Sequence, residues 1–474
     1  MTTSSSRHRI RTTALIVASS LFMEQLDSTV LATALPTMAQ SFGVSPMHMS
    51  VGLTSYMLSL AVFLPASGWI ADRFGARRVF CTAIILFTLG SAICGQAPSL
   101  DFLVAARLLQ GLGGAMMVPV GRLLLLRSVP KEEMISAMAW FLVPALIGPV
   151  VGPPLGGLIV THLNWRWIFY INLPIGVIGL ALVTWFIEDV REPQGQPFDW
   201  LGLFISGTSL SCLIFGLELI SRGALALKDA AILLIVGLTC LFFYLRHADR
   251  HPAPIIDIRL MRVPSFRISV IAGSLTRVSG GALPFLLPLM MQLGFGLSAE
   301  RSGLITFASA AGSMTMKAAA TPILRRFGYR RTLIWNAIVA SALIALISSF
   351  RPEWPTAAIY AVLLLSGFFQ SLQFTAYNTL AYAEIERPKM SAAIAFYTTM
   401  QQMMLSFGIC AGALALNGAV AWFGDGHAVL RDFAVAFLAV ASVSVFASPV
   451  CARLAPNAGD DLAGRGNVQH SGMR

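Results

Sequence analysis

Charge is what this chain has least of. Asp, Glu, Lys and Arg make up 12% of its 474 residues, against roughly 25% in soluble domains. So thin a charged complement excludes an ordinary soluble fold. Histidine (7) and cysteine (6) are also scarce, and they form no CxxC pair and no Cys/His group with ligand spacing. A metal site and a redox pair are therefore not expected. Cys81, Cys94, Cys212, Cys240, Cys410 and Cys451 all fall in apolar stretches and read as packed thiols. Neither GxxxxGKS nor GxxxxGKT occurs, which excludes a pump with its own ATP-binding loop. HExxH and GxSxG are absent too, and no hydrophilic stretch is long enough for a catalytic domain. Neither an enzyme nor a bound cofactor is expected.

What the chain has in abundance is apolar length. It is 56% hydrophobic, with a mean hydropathy of +0.74. Runs of roughly 20 residues are long enough to cross about 30 Å of hydrocarbon. Fourteen such runs begin near residues 12, 47, 78, 100, 135, 167, 199, 229, 266, 298, 331, 356, 391 and 430. They leave no room for a soluble domain, so the chain reads as an all-α polytopic membrane protein. The opening SSSRHRIRTTALIVASS imitates a signal peptide. It extends to spanning length and carries Glu24 and Asp27, so it reads as an uncleaved first helix.

The net charge of +11 does not point to nucleic acid. With the amino terminus inside, 24 of the 33 Lys and Arg residues fall on cytoplasmic segments and 6 on outer ones; Arg107, Arg277 and Lys317 lie within runs. That bias is the positive-inside pattern, and it places both termini in the cytoplasm.

The few charges inside the runs carry the functional argument. Asp27 interrupts RTTALIVASSLFMEQLDSTVLATALP, and Glu24 lies one helical turn earlier on the same face. A charge at bilayer depth costs about 2.5 kcal/mol or more, and such residues usually face a watery cavity or a partner. The structural alternative is a protonated carboxyl or a static pair with arginine. By helical rise, Asp27 lies roughly 13 Å and Arg107 roughly 10 Å from the outer ends of their runs. The two can pair or compete. A carboxyl whose proton affinity changes with its surroundings is sufficient to couple protons to a ligand, and Asp27 with Glu24 is the candidate pair.

In the second half, Arg277 lies near the middle of the ninth run. Gln370, Gln373 and Asn378 in the twelfth run add uncharged hydrogen-bonding groups for a substrate cavity. Met290, Met291, Met400, Met403, Met404, Phe285, Phe368, Phe369 and Phe374 offer adaptable apolar surface, although packing is the commoner use of such residues. Glu218, with Arg222 four residues on, reads as a surface ion pair near the end of the seventh run. His48 and His162 read as solvated residues at outer ends, and His251 belongs to a charged cytoplasmic connector, RHADRHPAPIIDIRLMRVPSFR (246–267).

The chain also repeats itself. GWIADRFGARRVF (68–80) after the second run matches TPILRRFGYRRTL (321–333) after the tenth at an offset of 253. ISAMAW (135–140) is echoed faintly by MSAAIAF (390–396). Repeats at corresponding positions are the mark of a duplicated six-helix transporter. The expected units are residues 1–190 and 251–455, with two extra helices in 191–250 and a tail over 456–474.

Four motifs stand in the first half: LDSTVLATALP (26–36), GWIADRFGARR (68–78), RLLQGLGGA (107–115) and GPVVGPPLGG (148–157). With NWRWIFYINLPIG (164–176), they make the chain resemble the drug:proton antiporters of the major facilitator superfamily, above all their fourteen-helix EmrB/QacA-like subgroup. The resemblance implies two six-helix bundles plus two extra central helices, a bacterial inner membrane and alternating access. It also implies a proton gradient as energy source and small, lipophilic or amphiphilic substrates. Lipid, protons and the substrate are then the expected partners.

The same resemblance assigns the motifs their roles. Asp27, Glu24 and Arg107 would couple protons and substrate, with spans one and four lining the cavity. Gly68, Asp72, Arg73, Gly75, Arg77 and Arg78 would form a tightly packed hairpin that locks the halves together. Asp72 would face the start of a helix near Ser391, a contact typically worth about 0.3–1 kcal/mol. Arg325 replaces Asp72 in the second copy, which therefore keeps topology and loses the lock. Gly148, Gly152, Pro153, Gly156 and Gly157 would give span five the bent, smooth face of antiporters. Some divalent-cation exporters of the subgroup carry an extra acid in span ten. Here the charge in that span is Lys317, so dications are not expected, and Arg277 leaves anions and zwitterions open. Export or uptake of a single metabolite is the alternative reading, and a non-transporting receptor a more distant one.

Overall fold

The computed structural model describes residues 2–128, 134–187, 198–221, 227–386, 389–424, 426–456 and 458–459. Arg222, the boundary at residues 190 and 191 and most of the tail lie outside them. In chain order the helices are α1 (Thr2–Phe42), α2 (Ser50–Phe63), α3 (Ser67–Phe74), α4 (Ala76–Gly95), α5 (Leu100–Ser128) and α6 (Met134–His162). There follow α7 (Trp167–Tyr170), α8 (Asn172–Phe186), α9 (Trp200–Ser221), α10 (Leu227–Arg250) and α11 (Pro264–Leu289). The last are α12 (Ala299–Phe327), α13 (Tyr329–Ile347), α14 (Thr356–Leu380), α15 (Met390–Phe423), α16 (Leu430–Val445) and α17 (Ala447–Cys451). No strand occurs among the described residues.

Helix ends fall where local chemistry puts them. Gly75 separates α3 from α4 with φ +93°, and its repeat equivalent Gly328 separates α12 from α13 with φ +76°. Side chains disfavour that conformation. Pro264 opens α11, where its missing N–H has no helical partner to lose. Ser298 caps α12 by accepting the Arg301 N–H at 3.3 Å.

Helices α1, α2, α4, α5, α6 and α8 pack as one group, and α11 to α16 as another. The pair α9/α10 is central in the chain but peripheral in space. Helix α9 lies over α2 and α15, one helix from each group, while α10 is mostly uncovered. Twelve helices among the described residues are long and apolar enough to cross a membrane. The other two expected crossings coincide with α6 and α12, each 29 residues long. Helix α12 carries Glu300, Arg301, Lys317, Arg325 and Arg326, so its crossing stays an expectation, as does that of α6.

Among the described residues the apolar core is continuous across the halves at one end. Opposite the termini it runs through both groups, from Leu26, Leu53 and Phe169 to Phe285, Phe350 and Phe437. Toward the termini it divides in two, one part around Phe80 and Phe87, the other around Phe266 and Tyr397. Polar contacts between the groups lie at the continuous end. Gln292 Nε2 donates to Thr33 O (3.0 Å), the Glu300 N–H to Thr161 Oγ1 (3.2 Å), and Ser406 Oγ to Thr54 O (3.4 Å). A Cβ on Gly303 would sit 2.2 Å from Pro153 O, so this contact of α6 with α12 requires glycine. Among the described residues, the halves share one apolar core opposite the termini and keep separate cores toward them.

His162 is exposed at the continuous end, as expected, and also reaches Glu300 of the other half, Nε2 to Oε2 3.2 Å. One expectation is corrected there. Glu218 is 1% exposed and not at the surface. It accepts from Ser50 Oγ of α2 (2.8 Å) and Cys410 Sγ of α15 (3.6 Å), because α9 covers the seam between those helices. All six cysteines are free thiols.

The connector after α10 is fastened, not loose. Asp199 accepts the Gly202 N–H (2.8 Å), His247 Nε2 (2.7 Å) and the Ile255 N–H (3.2 Å). Burial acts to raise its pKa, but these hydrogen bonds outweigh burial and hold the carboxyl below its ordinary value. His251 brings its ring within 5.0 Å of His247, and with Asp199 the two histidines have ligand-type atoms within 4.8 Å of one another. Both Asp199 oxygens already serve as acceptors, so the group reads as the connector's fastening.

Candidate functional site

The charged motif residues of the first half converge on one buried cluster. Asp27 Oδ2 accepts Arg107 Nη1 at 2.5 Å, and its Oδ1 accepts Gln110 Nε2 (2.9 Å) and Asn172 Nδ2 (3.0 Å). Arg107 also donates to Gly52 O (3.1 Å) and Gln110 Oε1 (2.7 Å), and its guanidinium stands 4.3 Å from the Tyr56 ring centroid. Asn172 is held in turn by Ser91 Oγ at 3.0 Å. Arg107 and Asp27 are 0% and 3% exposed. In so dry a setting, removing one partner of such a pair typically costs about 3–5 kcal/mol. Glu24 is buried one turn away, and its Oε2 has no hydrogen-bond partner.

Equal depth left Asp27 and Arg107 free to pair or compete, and in the structure they pair; the direction in which the pair faces does not follow from depth. Thr29, Ala32 and Thr33 of α1 line a cavity between the halves. At about 100° per residue they point away from Asp27. Asp27 therefore turns into the first group, toward α5 and α8, and not into the cavity that spans one and four were expected to share. Gln110, Asn172, Ser91 and Tyr56 were not singled out from sequence. Gln110, one turn after Arg107 in RLLQG, and Asn172, the polar residue of YINLP, were the available signals.

The cavity is about 170 Å³ and is lined by α1, α6, α11, α12 and α14, including Thr33, Pro149, Pro153, Gly280, Thr306 and Gln370. Ligand pockets usually hold roughly 300 Å³ or more. A drug-sized ligand therefore exceeds this cavity as it stands. Of the expected cavity residues, only Gln370 lines it. Gln373 turns into the second group, where it binds Asn336, Leu333 O and Tyr377. Arg277 lies about one turn from Gly280 toward the termini, donating to Tyr397 OH (3.0 Å) and Asn378 Oδ1 (3.5 Å). Phe285, Met290 and Met291 are core residues, as packing predicts.

The glycines of α6 serve two neighbours. Added Cβ atoms on Gly148, Gly152 and Gly156 would clash with Gln25, Thr29 and Thr33 of α1, and one on Gly157 with Ala299 of α12. Pro149 and Pro153 of the same stretch line the cavity wall. In the hairpin, the positive φ of Gly75 makes the turn, whereas a Cβ on Gly68 would meet nothing within 4 Å. Tight packing at Gly68 is therefore absent. Arg77 donates to Thr184 O of α8, within its own half. Its repeat equivalent Arg330 makes the same contact with Ala452 O, at 3.0 Å. Arg73 and Arg78 are exposed and Asp72 is half-buried. The stretch Asp72 was expected to face adjoins residues 387–388, outside the described residues.

The sequence profile of the Major Facilitator Superfamily matches residues 17–409 and 270–461. The chain belongs to the major facilitator superfamily. Curated relatives named "Putative multidrug resistance protein MdtD" share 39% identity in Pectobacterium atrosepticum, over 85% of this chain and 86% of that one. The Escherichia coli O6:H1 protein of the same name shares 37%, over 93% and 94%. Among solved structures, an auto-inhibited POT family peptide transporter superposes with a TM-score of 0.67 at 17% identity, covering 96% and 97% of the two chains. A D-xylose–proton symporter gives 0.65 at 15%, covering 94% and 98%. At such identities these two establish the major facilitator fold alone. The protein is a multi-pass membrane transporter and not an enzyme.

Proposed function

We propose that this transporter exports small amphiphilic compounds from the bacterial cytoplasm in exchange for protons, by alternating access of its two halves. In this reading fourteen helices cross the inner membrane, both termini are cytoplasmic, and the proton gradient is the energy source. The name carried by the relatives supports drug-like cargo. The observation that carries the proton coupling is the buried Asp27–Arg107–Gln110–Asn172 cluster beside Glu24.

Glu24 has a free oxygen and can take a proton without breaking a bond. Asp27 can take one only by releasing Arg107, which couples proton uptake to a change in how α1 packs on α5. Helix α1 carries Asp27 on one face and the cavity residues Thr29 and Thr33 on the other. A rotation or shift of α1 therefore transmits the event to the cavity. Gln292, Glu300 and His162 form the outer seal that must open for release. The hairpin around Gly75 and Asp72 is the corresponding latch on the cytoplasmic side.

The test is gradient-driven flux in liposomes containing the purified chain, with lipophilic cations, zwitterions and anions as probes. Asp27→Asn is expected to abolish gradient-driven flux and Glu24→Gln to reduce it at least tenfold. Full flux in both variants, or no gradient-driven flux of any probe, overturns the proposal.

A further inference from the structure

In the second half, the charges within the bodies of the helices are all positive. Between α11 and α16, no Asp or Glu lies within the body of a helix; Glu300 and Asp432 stand at ends opposite the termini. Arg277 and Lys317 do lie within. Arg277 is 4% exposed, yet its partners are the Tyr397 hydroxyl, the Asn378 amide oxygen and the rings of Tyr397 (4.9 Å) and Phe374 (5.5 Å). None of these carries charge. Lys317 is exposed and donates to Thr375 Oγ1 at 3.2 Å. It lies seven residues after the cavity residue Ala310, hence on the same face of α12, about two turns nearer the termini. Phe374 joins these cations to the cavity: it packs on Gly280 in the wall and stands under Arg277.

A third cation comes from the other half. Arg122 of α5 has a buried Nε with no hydrogen-bond partner. Its field and that of Arg277 meet at the Tyr382 hydroxyl, whose pKa is raised by burial and by Tyr397 against the pull of both arginines. Among the described residues, no ion pair joins Arg122, Arg277 or Lys317 to a carboxylate. A buried guanidinium without a counter-charge is unfavourable in a low dielectric and is stabilised by an incoming anion. The cavity above is mainly apolar, lined by Ala32, Leu283, Leu287 and four prolines.

We infer that the cargo is an amphiphilic anion, with its apolar body in the cavity and its carboxylate on Arg277, assisted by Lys317 and Arg122. This rests on the exporter reading and names its substrate class. Binding from the side facing the termini is then favoured by charge, and protonation of the carboxylate on the outer side would weaken the hold of Arg277 and favour release. The acidic cluster of the first half stays reserved for protons, since Asp27 already has its cation.

The experiment compares three probes with one body and different heads: 4-phenylbutanoate, 4-phenylbutanamide and 4-phenylbutyl-trimethylammonium. Calorimetric binding to the full chain in detergent and gradient-driven flux in liposomes are both measured. The carboxylate is expected to bind at least tenfold more tightly than the amide, and the ammonium most weakly. Arg277→Gln should weaken carboxylate binding tenfold or more with the amide unchanged, and Arg277→Lys should restore part of it. Lys317→Gln, at an exposed site that leaves folding intact, should weaken it severalfold. Equal or tighter binding of the ammonium overturns the inference, as does unchanged carboxylate binding in both Gln variants. Carboxylate binding without flux of any probe supports the anion site and overturns the exporter reading instead.

Discussion

The two halves share one backbone plan and handle buried charge in opposite ways. In the first, Arg107 meets Asp27 at 2.5 Å, and Gln110 and Asn172 satisfy the rest of the carboxylate. In the second, Arg277 is nearly as buried but rests on a phenol, an amide and two aromatic faces. The repeat keeps Gly75 and Gly328 in the turn and Arg77 and Arg330 on matching carbonyls, while Arg325 stands in place of Asp72. The lesson is that duplication preserved the scaffold while the interiors diverged. One half holds its charges against each other; the other leaves positive charge for something that arrives.

That contrast can be broken most forcefully at Arg107. Arg107→Leu strands the Asp27 carboxylate, and a stability loss of about 3–5 kcal/mol is expected, read as a lowered melting temperature in detergent. The double variant Asp27→Asn/Arg107→Gln should recover most of that loss while gradient-driven flux stays absent. A double variant as unstable as the single one would show that the pair is not the source.

A smaller effect is expected where the halves meet. Gly303→Leu forces a side chain against Pro153 O and Pro154, and overpacking of this kind typically costs about 1–3 kcal/mol. The strain is relieved by opening the seal, so spin labels on the loop ends of α6 and α11 should report longer distances. An unchanged distribution would mean that the seal does not depend on this contact. The smallest effect sharpens the contrast itself. Arg277→Met removes a buried cation without stranding a carboxylate, so stability should stay within about 1 kcal/mol or rise. A loss as large as that of Arg107→Leu would reveal a hidden counter-charge.

Much of the architecture was legible because its signals are one-dimensional. Apolar runs, the offset of 253 between the two RFG turns and the clustering of Arg and Lys between runs all survive without knowledge of contacts. The common depth of Asp27 and Arg107 was legible too, although whether they pair or compete was not. Other expectations failed where a third helix intervened. Glu218 sits near the end of its run and looked like a surface residue, but α9 presses it against Ser50 and Cys410. Gln370 and Gln373 are one turn apart and looked equivalent. Yet one lines the cavity and the other is held by Asn336 and Tyr377.

By itself, the sequence determined that this chain spans a membrane in two related halves, where its turns fall and which residues share a helical face. Those properties follow from hydrophobic length, glycine conformation and helical period, and they are local. Only the tertiary structure decided where each face points. It turned Asp27 inward to Arg107, set Thr29 and Thr33 on the cavity, left Arg277 without an acid and sealed the end opposite the termini. A helix can rotate about its axis without changing its own hydrogen bonds, so its orientation is set by the neighbours it packs against.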